Sequence, residues 1–414
     1  MANVNNYETV GESKIGELLV RSDLTYLAED SANLIIERSQ KRQFSQQQSY
    51  SQQKIVIINF NTGNDFVSFT DSSLKFRLNM LDGQAIPVAP VGATFGAGSI
   101  LNLIENIKIV SRSGVVLVET SALNLWNYYS LKMAHTYEWR TQQAGLTLLG
   151  HGGTIDSGEE WIIPLNVLHP FFDNTTLAPP SLAQGMRVEL TLNTVASAFV
   201  HNAGGDLNIS SYTVDDIELI LDTYRLSSGA VDSLNQVAAT SGMVMTFHGI
   251  EYSPTKSNAG QASFSNELRQ TVSMANMCVA CVRNSADTTD LTKDSLASIA
   301  VGAGRTYQFR IGSVYLPQEA VSGTKQYYHE MAYATSKLKY GRELGIRNSE
   351  FAENNVAIAN MDRYWTSNTG VAINSSTTLN LKMTDLPTDA LDVDIFLKHT
   401  KSVNIFLENI VVRE

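Results

Sequence analysis

Cysteine is nearly absent. Cys278 and Cys281 are the only two in 414 residues, which excludes a disulfide scaffold and points to folding in a reducing compartment. They stand as C-x-x-C, but a structural zinc needs four ligands and no second pair exists. Their surroundings, Val272 to Val282, are small and apolar and read as a strand, on which residues three apart face opposite ways. Buried structural thiols are the expectation, not a redox pair. Charge is scarce as well: 17% of residues are charged, and 41 acidic against 30 basic leaves a net charge of -11. That excludes a chain that condenses nucleic acid over its whole surface, because phosphate affinity comes chiefly from Lys and Arg. No stretch approaches the ~18 consecutive apolar residues of a membrane span. The opening MANVNNYETVGESK lacks a basic-then-apolar leader, so synthesis without a secretion signal is expected. The sequons at Asn174, Asn208 and Asn374 are accordingly read as polar loops. The four tryptophans, Trp126, Trp139, Trp161 and Trp365, are widely separated and read as core anchors.

What is present describes a globular protein with ample core: 43% of residues are hydrophobic, and the length suits two or three domains. Residues 1–53 stand apart. Ser22 caps a predicted helix whose Leu24, Leu27, Ala28 and Ile35 fall on one face, after a shorter turn with Ile15, Leu18 and Leu19. FSQQQSYSQQ, Phe44 to Gln53, then reads as a flexible polar linker. Acidic and basic residues nearly cancel over this arm, Arg38, Lys41 and Arg42 being its one small basic group. It is therefore no genome-binding basic tail, and docking on protein is expected.

From Lys54 the pattern turns to short β runs, KIVIINF and FVSFTDSSLKFRLNM among them. A Pro/Gly-rich loop covers Asp82 to Gly98, and a hairpin is predicted around Arg112-Ser113-Gly114. A helix opens at Ser121, with Ala122, Leu125, Trp126, Tyr129 and Met133 on one face. EEWIIPLNVLHPFFDNTTLAPPSLAQGMRVELTL, Glu159 to Leu192, reads as a strand ending at Pro164, an aromatic corner at Phe171-Phe172, a turn at Pro179-Pro180, and an alternating strand from Met186. TVDDIELILDTYRL, Thr213 to Leu226, closes this half. Residues 228–241, small and polar, are taken as the inter-domain connection. The β pattern restarts at 242, with a helix over residues 324–340 ended by Gly341. The final strands are TLNLKMT, LDVDIFLK and VNIFLENIVVR, with SVNIFLENIVVR as the closing strand. The ranges 54–227 and 242–414 are nearly equal in length, each with about eight strand candidates and one helix. The expected fold is all-β: two tandem eight-stranded sandwiches behind an N-terminal helical arm.

A search for chemistry finds none. His329-Glu330 lacks the second histidine of a zinc-protease helix. Gly302-Ala303-Gly304 and Gly96-Ala97-Gly98 lack the Lys-Ser/Thr ending of a phosphate loop. Gly150-His151-Gly152-Gly153 has no G-x-S-x-G partner. The seven histidines show no metal-ligand spacing. Asp215-Asp216 and Glu159-Glu160 are adjacent on strands and face opposite ways. Only Asp392 and Asp394 share a face, and a solvated strand surface is the plainer account of them. The expectation is no enzyme and no catalytic, cofactor-binding or metal-binding residue.

The run Ile163-Pro164-Leu165, Phe171-Phe172, Pro179-Pro180 and Gly185-Met186-Arg187-Val188-Glu189-Leu190 resembles the late strands of the first jelly roll in double jelly-roll major capsid proteins. Arg310 to Pro317 followed by Tyr327-Tyr328 resembles the matching place in the second. The plan covers most of residues 54–414; the arm is longer and more helical than in many relatives. The resemblance implies two jelly rolls per chain, a homotrimer of nearly hexagonal outline, and tiling of an icosahedral virion shell. It also implies neighbouring capsomers, penton and minor capsid proteins as partners. An inner membrane or the genome is a further place for the arm, with no sequence-specific nucleic-acid binding. A tandem β-sandwich that grips glycans as an adhesin or fibre module is the alternative, and a carboxylate-based carbohydrate-active enzyme using Asp392 and Asp394 is a third reading.

Overall fold

The computed structural model describes residues 34–81, 93–95, 99–136, 157–174, 176–201, 209–268, 270–290, 292–302, 304–335, 346, 351, 354–362, 370–406 and 410–413. Short alternating runs broken by turn residues pair here into antiparallel sheets. The first half contributes β1 (Ile35–Phe44), β2 (Ser49–Ser51), β3 (Ile55–Asn59), β4 (Phe66–Leu81), β5 (Ala93–Phe95) and β6 (Ile104–Val110). It continues with β7 (Val116–Thr120), β8 (Glu159–Pro164), β9 (Arg187–Leu192), β10 (Phe199–His201) and β11 (Ser211–Leu226). One sheet runs β1-β11-β4-β8, with β2 also on β11; a second runs β3-β9-β6-β7; β5 and β10 form a separate ribbon. Among the eight main strands in chain order, the first, eighth, third and sixth share one sheet. The second, seventh, fourth and fifth share the other. That order is a jelly roll.

The second half repeats it. Its strands are β12 (Met243–Ser257), β13 (Ser263–Leu268), β14 (Val272–Asn284), β15 (Thr306–Ile311), β16 (Val314–Ser322), β17 (Ala357–Asn360), β18 (Val371–Ile373), β19 (Leu379–Thr384), β20 (Leu391–Ile405) and β21 (Ile410–Arg413). The sheets run β12-β20-β14-β17 and β13-β19-β15-β16, with β18 added to β14 and β21 to β20. No sheet among the described residues mixes strands from the two halves. The fourth-to-fifth-strand hairpin turns on a left-handed glycine in both halves, Gly114 at φ 85° and Gly312 at φ 57°, a conformation other residues resist. Three longer helices complete the plan: α1 (Leu123–Ala134), α2 (Ser228–Thr240) and α3 (Gly323–Ala334). α1 and α3 occupy the same connection, between the fifth and sixth main strands of their halves.

Alternation decides what is buried. On β4, Phe76, Leu78 and Met80 point inward while Lys75, Arg77 and Asn79 point outward. Phe69, Phe171 and Phe172 meet with ring centroids 5.2 to 5.7 Å apart and form the centre of the first sandwich. Each fully buried Phe contributes roughly 1.5–3 kcal/mol.

Three expectations change. Residues 35–53 are not the end of a helix and a flexible linker. β1 pairs with β11 from Ile35↔Leu226 to Phe44↔Glu218, and Tyr50 of β2 is buried. The first sandwich therefore starts at Ile35 and not at Lys54. No alternation of apolar residues marks β1 between Glu37 and Gln43, because it is an edge strand held by ladder bonds and ion pairs. The connection at 228–241 is the helix α2, whose Ala230 and Leu234 pack with Phe66, Leu177 and Leu226. LDVDIFLK and SVNI run together as the single strand β20, so β20 and not SVNIFLENIVVR is the counterpart of β11; β21 is an addition. The helix expected over 324–340 is described to Ala334, and Thr335 caps it. The rest of that helix, the arm helix, the loop 82–92 and Gly150 to Gly153 lie outside the described residues.

Candidate assembly surfaces

The side chains that invited a chemical reading are occupied structurally. Cys278 and Cys281 are fully buried on β14, and burial pushes both thiols well up. Glu160 lies 3.3 Å from both Lys75 and Arg77. Asp215 accepts from Asn79 Nδ2 at 2.5 Å, and Asp216 lies 3.4 Å from Arg77. Asp392 and Asp394 go separate ways. Asp394 accepts from Arg283 Nε at 2.8 Å and Tyr252 Oη at 2.6 Å. Asp392 accepts from Ser285 Oγ at 2.9 Å and lies 3.5 Å from Lys256. Burial and the Asp394 charge push the Tyr252 hydroxyl up. Trp126 and Trp161 are buried, so neither belongs to a sugar-stacking platform; Trp139 and Trp365 lie outside the described residues. Asn174 donates to the Thr246 carbonyl, and the Asn374 side chain closes its own turn onto Ser376 and Thr377.

The informative geometry lies at two surfaces. The first is the seam between the sandwiches. α1 is buried on nearly every side, including Asn124, Asn127 and Lys132, because it lies between the halves. Trp126 packs on Phe396 of β20 at 5.7 Å, and Phe396 stacks on Tyr252 of β12 at 5.1 Å. Tyr129 donates to the Leu296 carbonyl at 2.9 Å. Tyr128 and Lys132 both donate to Asn354 Oδ1. Thr120, ending β7, donates to the Ile250 carbonyl at 3.2 Å, while Phe171 meets Phe247 edge-on at 4.9 Å. A cleft of about 300 Å³ opens beside the seam between Glu105, Asn124, Asn193, Arg283, Ser295 and Asp392; burial raises the Glu105 carboxyl.

The second surface is the outer face of sheet β1-β11-β4-β8, which alternates in sign strand by strand. Arg38 and Arg42 lie on β1, Glu218 and Asp222 on β11, Lys75 and Arg77 on β4, and Glu160 on β8. Arg38 grips Asp222 at 2.6 Å and lies over the Tyr224 ring at 5.5 Å. Glu218 lies 3.7 Å from Arg42 and 3.9 Å from Lys75. On the inner side of β1, Lys41 reaches Asp65 at 2.7 Å. Burial pushes the Asp65 carboxyl up, but Lys41 and Arg225 outweigh it and hold it below its ordinary value. Phe44 and Ile162 stand exposed among these charges. Local sequence patterning does not reveal this face. Its one signal is the four-residue spacing of Arg38 and Arg42 on β1, matched by the four-residue spacing of Glu218 and Asp222 on β11.

The second half leaves open what the first half covers. Val314 and Tyr315 on β16 and Tyr333 on α3 are exposed, Tyr333 by 60%. β16 and α3 correspond to β7 and α1, and both helices carry a tyrosine pair, Tyr128-Tyr129 and Tyr327-Tyr328. In the first half that side is closed by β12 and β20; in the second nothing in the chain's described residues closes it.

No family model matches this sequence, and no curated protein does. Solved structures with the same fold do exist. A chain of the PBCV-1 virus capsid superposes with a TM-score of 0.61 at 10% identity, over 91% of this chain and 97% of that one. The Faustovirus major capsid protein gives 0.56 at 9% identity over 89% and 90%. The mavirus major capsid protein gives 0.52 at 9% identity over 91% and 90%.

Proposed function

From a chain with the fold of double jelly-roll major capsid proteins, we propose a structural tile of a virion shell that trimerises into pseudo-hexagonal capsomers and tiles an icosahedral capsid. One observation carries the reading: the chain uses one kind of seam internally and offers its two halves, unjoined, on its outside. Internally the helix side of the first jelly roll (β7, α1) meets the β12-β20 sheet of the second. Outside, among the described residues, nothing closes the helix side of the second (β16, α3), and the charged stretch of the β1-β11-β4-β8 sheet of the first is open beyond the end that α2 covers. Joining them between copies is a heterologous contact, and heterologous contacts close into rings when the rotation allows. Six wedges of similar shape close with three copies. Tyr315 and Tyr333 would then meet the guanidinium-rich face of the next copy, a pairing that Arg and aromatic rings favour. An obligate contact of this kind buries more than ~2,000 Å².

Neighbouring capsomers, penton and minor capsid proteins are the further partners, and the virion is the location. The arm before Leu34 docks on a sister subunit in this reading. No substrate chemistry enters, and the chain acts as a building block and not as an enzyme.

Light scattering on the purified chain tests the core of this. The expected mass is three times 45.4 kDa, and Tyr333→Glu with Val314→Asp should release monomers that melt at the temperature of the parent. A stable 45.4 kDa monomer of the parent at micromolar concentration would overturn the reading.

A further inference from the structure

We propose that residues 246–250 of β12, together with His169 and Thr120 opposite them, form an acid-sensitive latch between the two jelly rolls, which loosens when His169 and His248 take up protons. The latch joins two halves of one chain, so it stands apart from whether copies associate.

A bond relay carries the argument. His169 is fully buried, and its Nδ1 accepts the Phe171 backbone N–H at 3.0 Å. That nitrogen therefore carries no proton, which leaves Nε2 as the donor to Thr120 Oγ1 at 3.1 Å. Thr120 in turn donates to the Ile250 carbonyl across the seam. Each link fixes the next, and the chain of bonds works only with a neutral imidazole. A proton on Nδ1 sets donor against donor at Phe171, beside the Phe171–Phe247 contact. Among the described residues no carboxylate pairs with His169 to compensate.

His248 lies in the middle of the same segment, between Phe247 and the Ile250 acceptor, and its Nδ1 is buried without a hydrogen-bond partner. From β20 it faces Lys398 and His399. Asp173 from the first jelly roll and Asp362 after β17 act on Lys398, while Glu251 lies 3.5 Å from His399 and 3.6 Å from Lys401. The near charge on His248 is thus positive, and a second one is repelled. Burial holds His169 down at about 3. Burial and then the Lys398 charge hold His248 at about 4.

The sign follows. Both groups are depressed below the ordinary histidine value of roughly 6.5 that an opened seam restores. The open state then binds more protons, so closure is full above that value and weakens as pH falls toward the closed-state values.

Hydrogen exchange on the full-length chain between pH 7 and 4.5, corrected for the intrinsic pH dependence of exchange, reads this directly at the Phe171 amide and the amides of 246–250. The upper part of this window keeps ordinary carboxylates charged. The opening constant should rise up to about tenfold per pH unit for each imidazole. In the double variant His169→Gln, His248→Gln it should stay flat, because Gln can accept from Phe171 and donate to Thr120 without titrating. Thr120→Val should raise opening equally at every pH. A flat profile in the parent, or an unchanged slope in the double variant, overturns the latch. Should the double variant not fold at pH 7, His248→Gln alone must halve the logarithmic slope, and an unaltered slope there is equally fatal.

Discussion

At the scale of single residues, Asp394 and Asp392 share a strand face yet differ in what their removal costs. Asp394 is 2% exposed, and its carboxylate is the counter-charge of Arg283, which also donates to the Ser295 carbonyl. Removing the carboxylate strands a guanidinium in the interior, which costs about 3–5 kcal/mol. Asp392 faces the exposed Lys256, and a pair of that kind contributes about 1 kcal/mol or less. Urea denaturation of Asp394→Ala and Asp392→Ala should therefore separate clearly, with the first far less stable. Equal losses would mean that the ion pair with Arg283 is not what Asp394 provides. Spacing along β20 treats the two residues alike. What distinguishes them is β14, where Arg283 stands opposite Asp392 in register but reaches diagonally to Asp394. Cross-strand partners of this kind have no trace in local sequence.

At the scale of elements, β1 separates what patterning can and cannot reveal. β11 and β20 are rich in branched and aromatic residues and read as strands without ambiguity. Val188, Leu190 and Leu192 alternate plainly on β9. β1 has Arg38, Gln40 and Arg42 outward and Ser39, Lys41 and Gln43 inward, so both faces are polar and no period of two survives. Its pairing comes from backbone bonds to β11 and from Arg38–Asp222 and Lys41–Asp65. α1 errs the other way. The sequence predicts a single apolar stripe through Trp126 and Tyr129, and the helix is covered nearly all round because a second jelly roll lies against it. Truncation tests the assignment of β1. A chain beginning at Leu34 should keep a cooperative melt, whereas one beginning at Lys54 should aggregate, because it bares the long edge of β11. A flexible linker at 35–53 demands the same behaviour of both, and circular dichroism melts with light scattering tell the outcomes apart.

At the scale of the whole molecule, two sheets per half invite the view of two independent domains, and the strand order supports that division. The core does not. Buried side chains form one continuous cluster running from Val56 and Phe69 through Trp126 and Phe171 to Phe247, Phe396 and Tyr307. A half separated at α2 would present Trp126, Tyr128 and Tyr129 to water on one piece and Phe396 and Ile250 on the other. Each large apolar side chain so exposed costs roughly 1.5–3 kcal/mol, and Tyr129 and Thr120 would lose their acceptors besides. Set against a total stability of about 5–15 kcal/mol for a domain, that loss exceeds what either half can spare, so neither half should outlast the other. Differential scanning calorimetry at pH 7.5 should accordingly show one transition, with Cys278 in the second half and Trp126 in the first becoming reactive and solvent-exposed together. Trp126→Ala removes the central side chain of the seam, costs about 3–5 kcal/mol as a large-to-small core change, and should split the transition in two. Two resolved transitions already in the parent would show that the seam is a contact between finished domains and not part of the core that folds them.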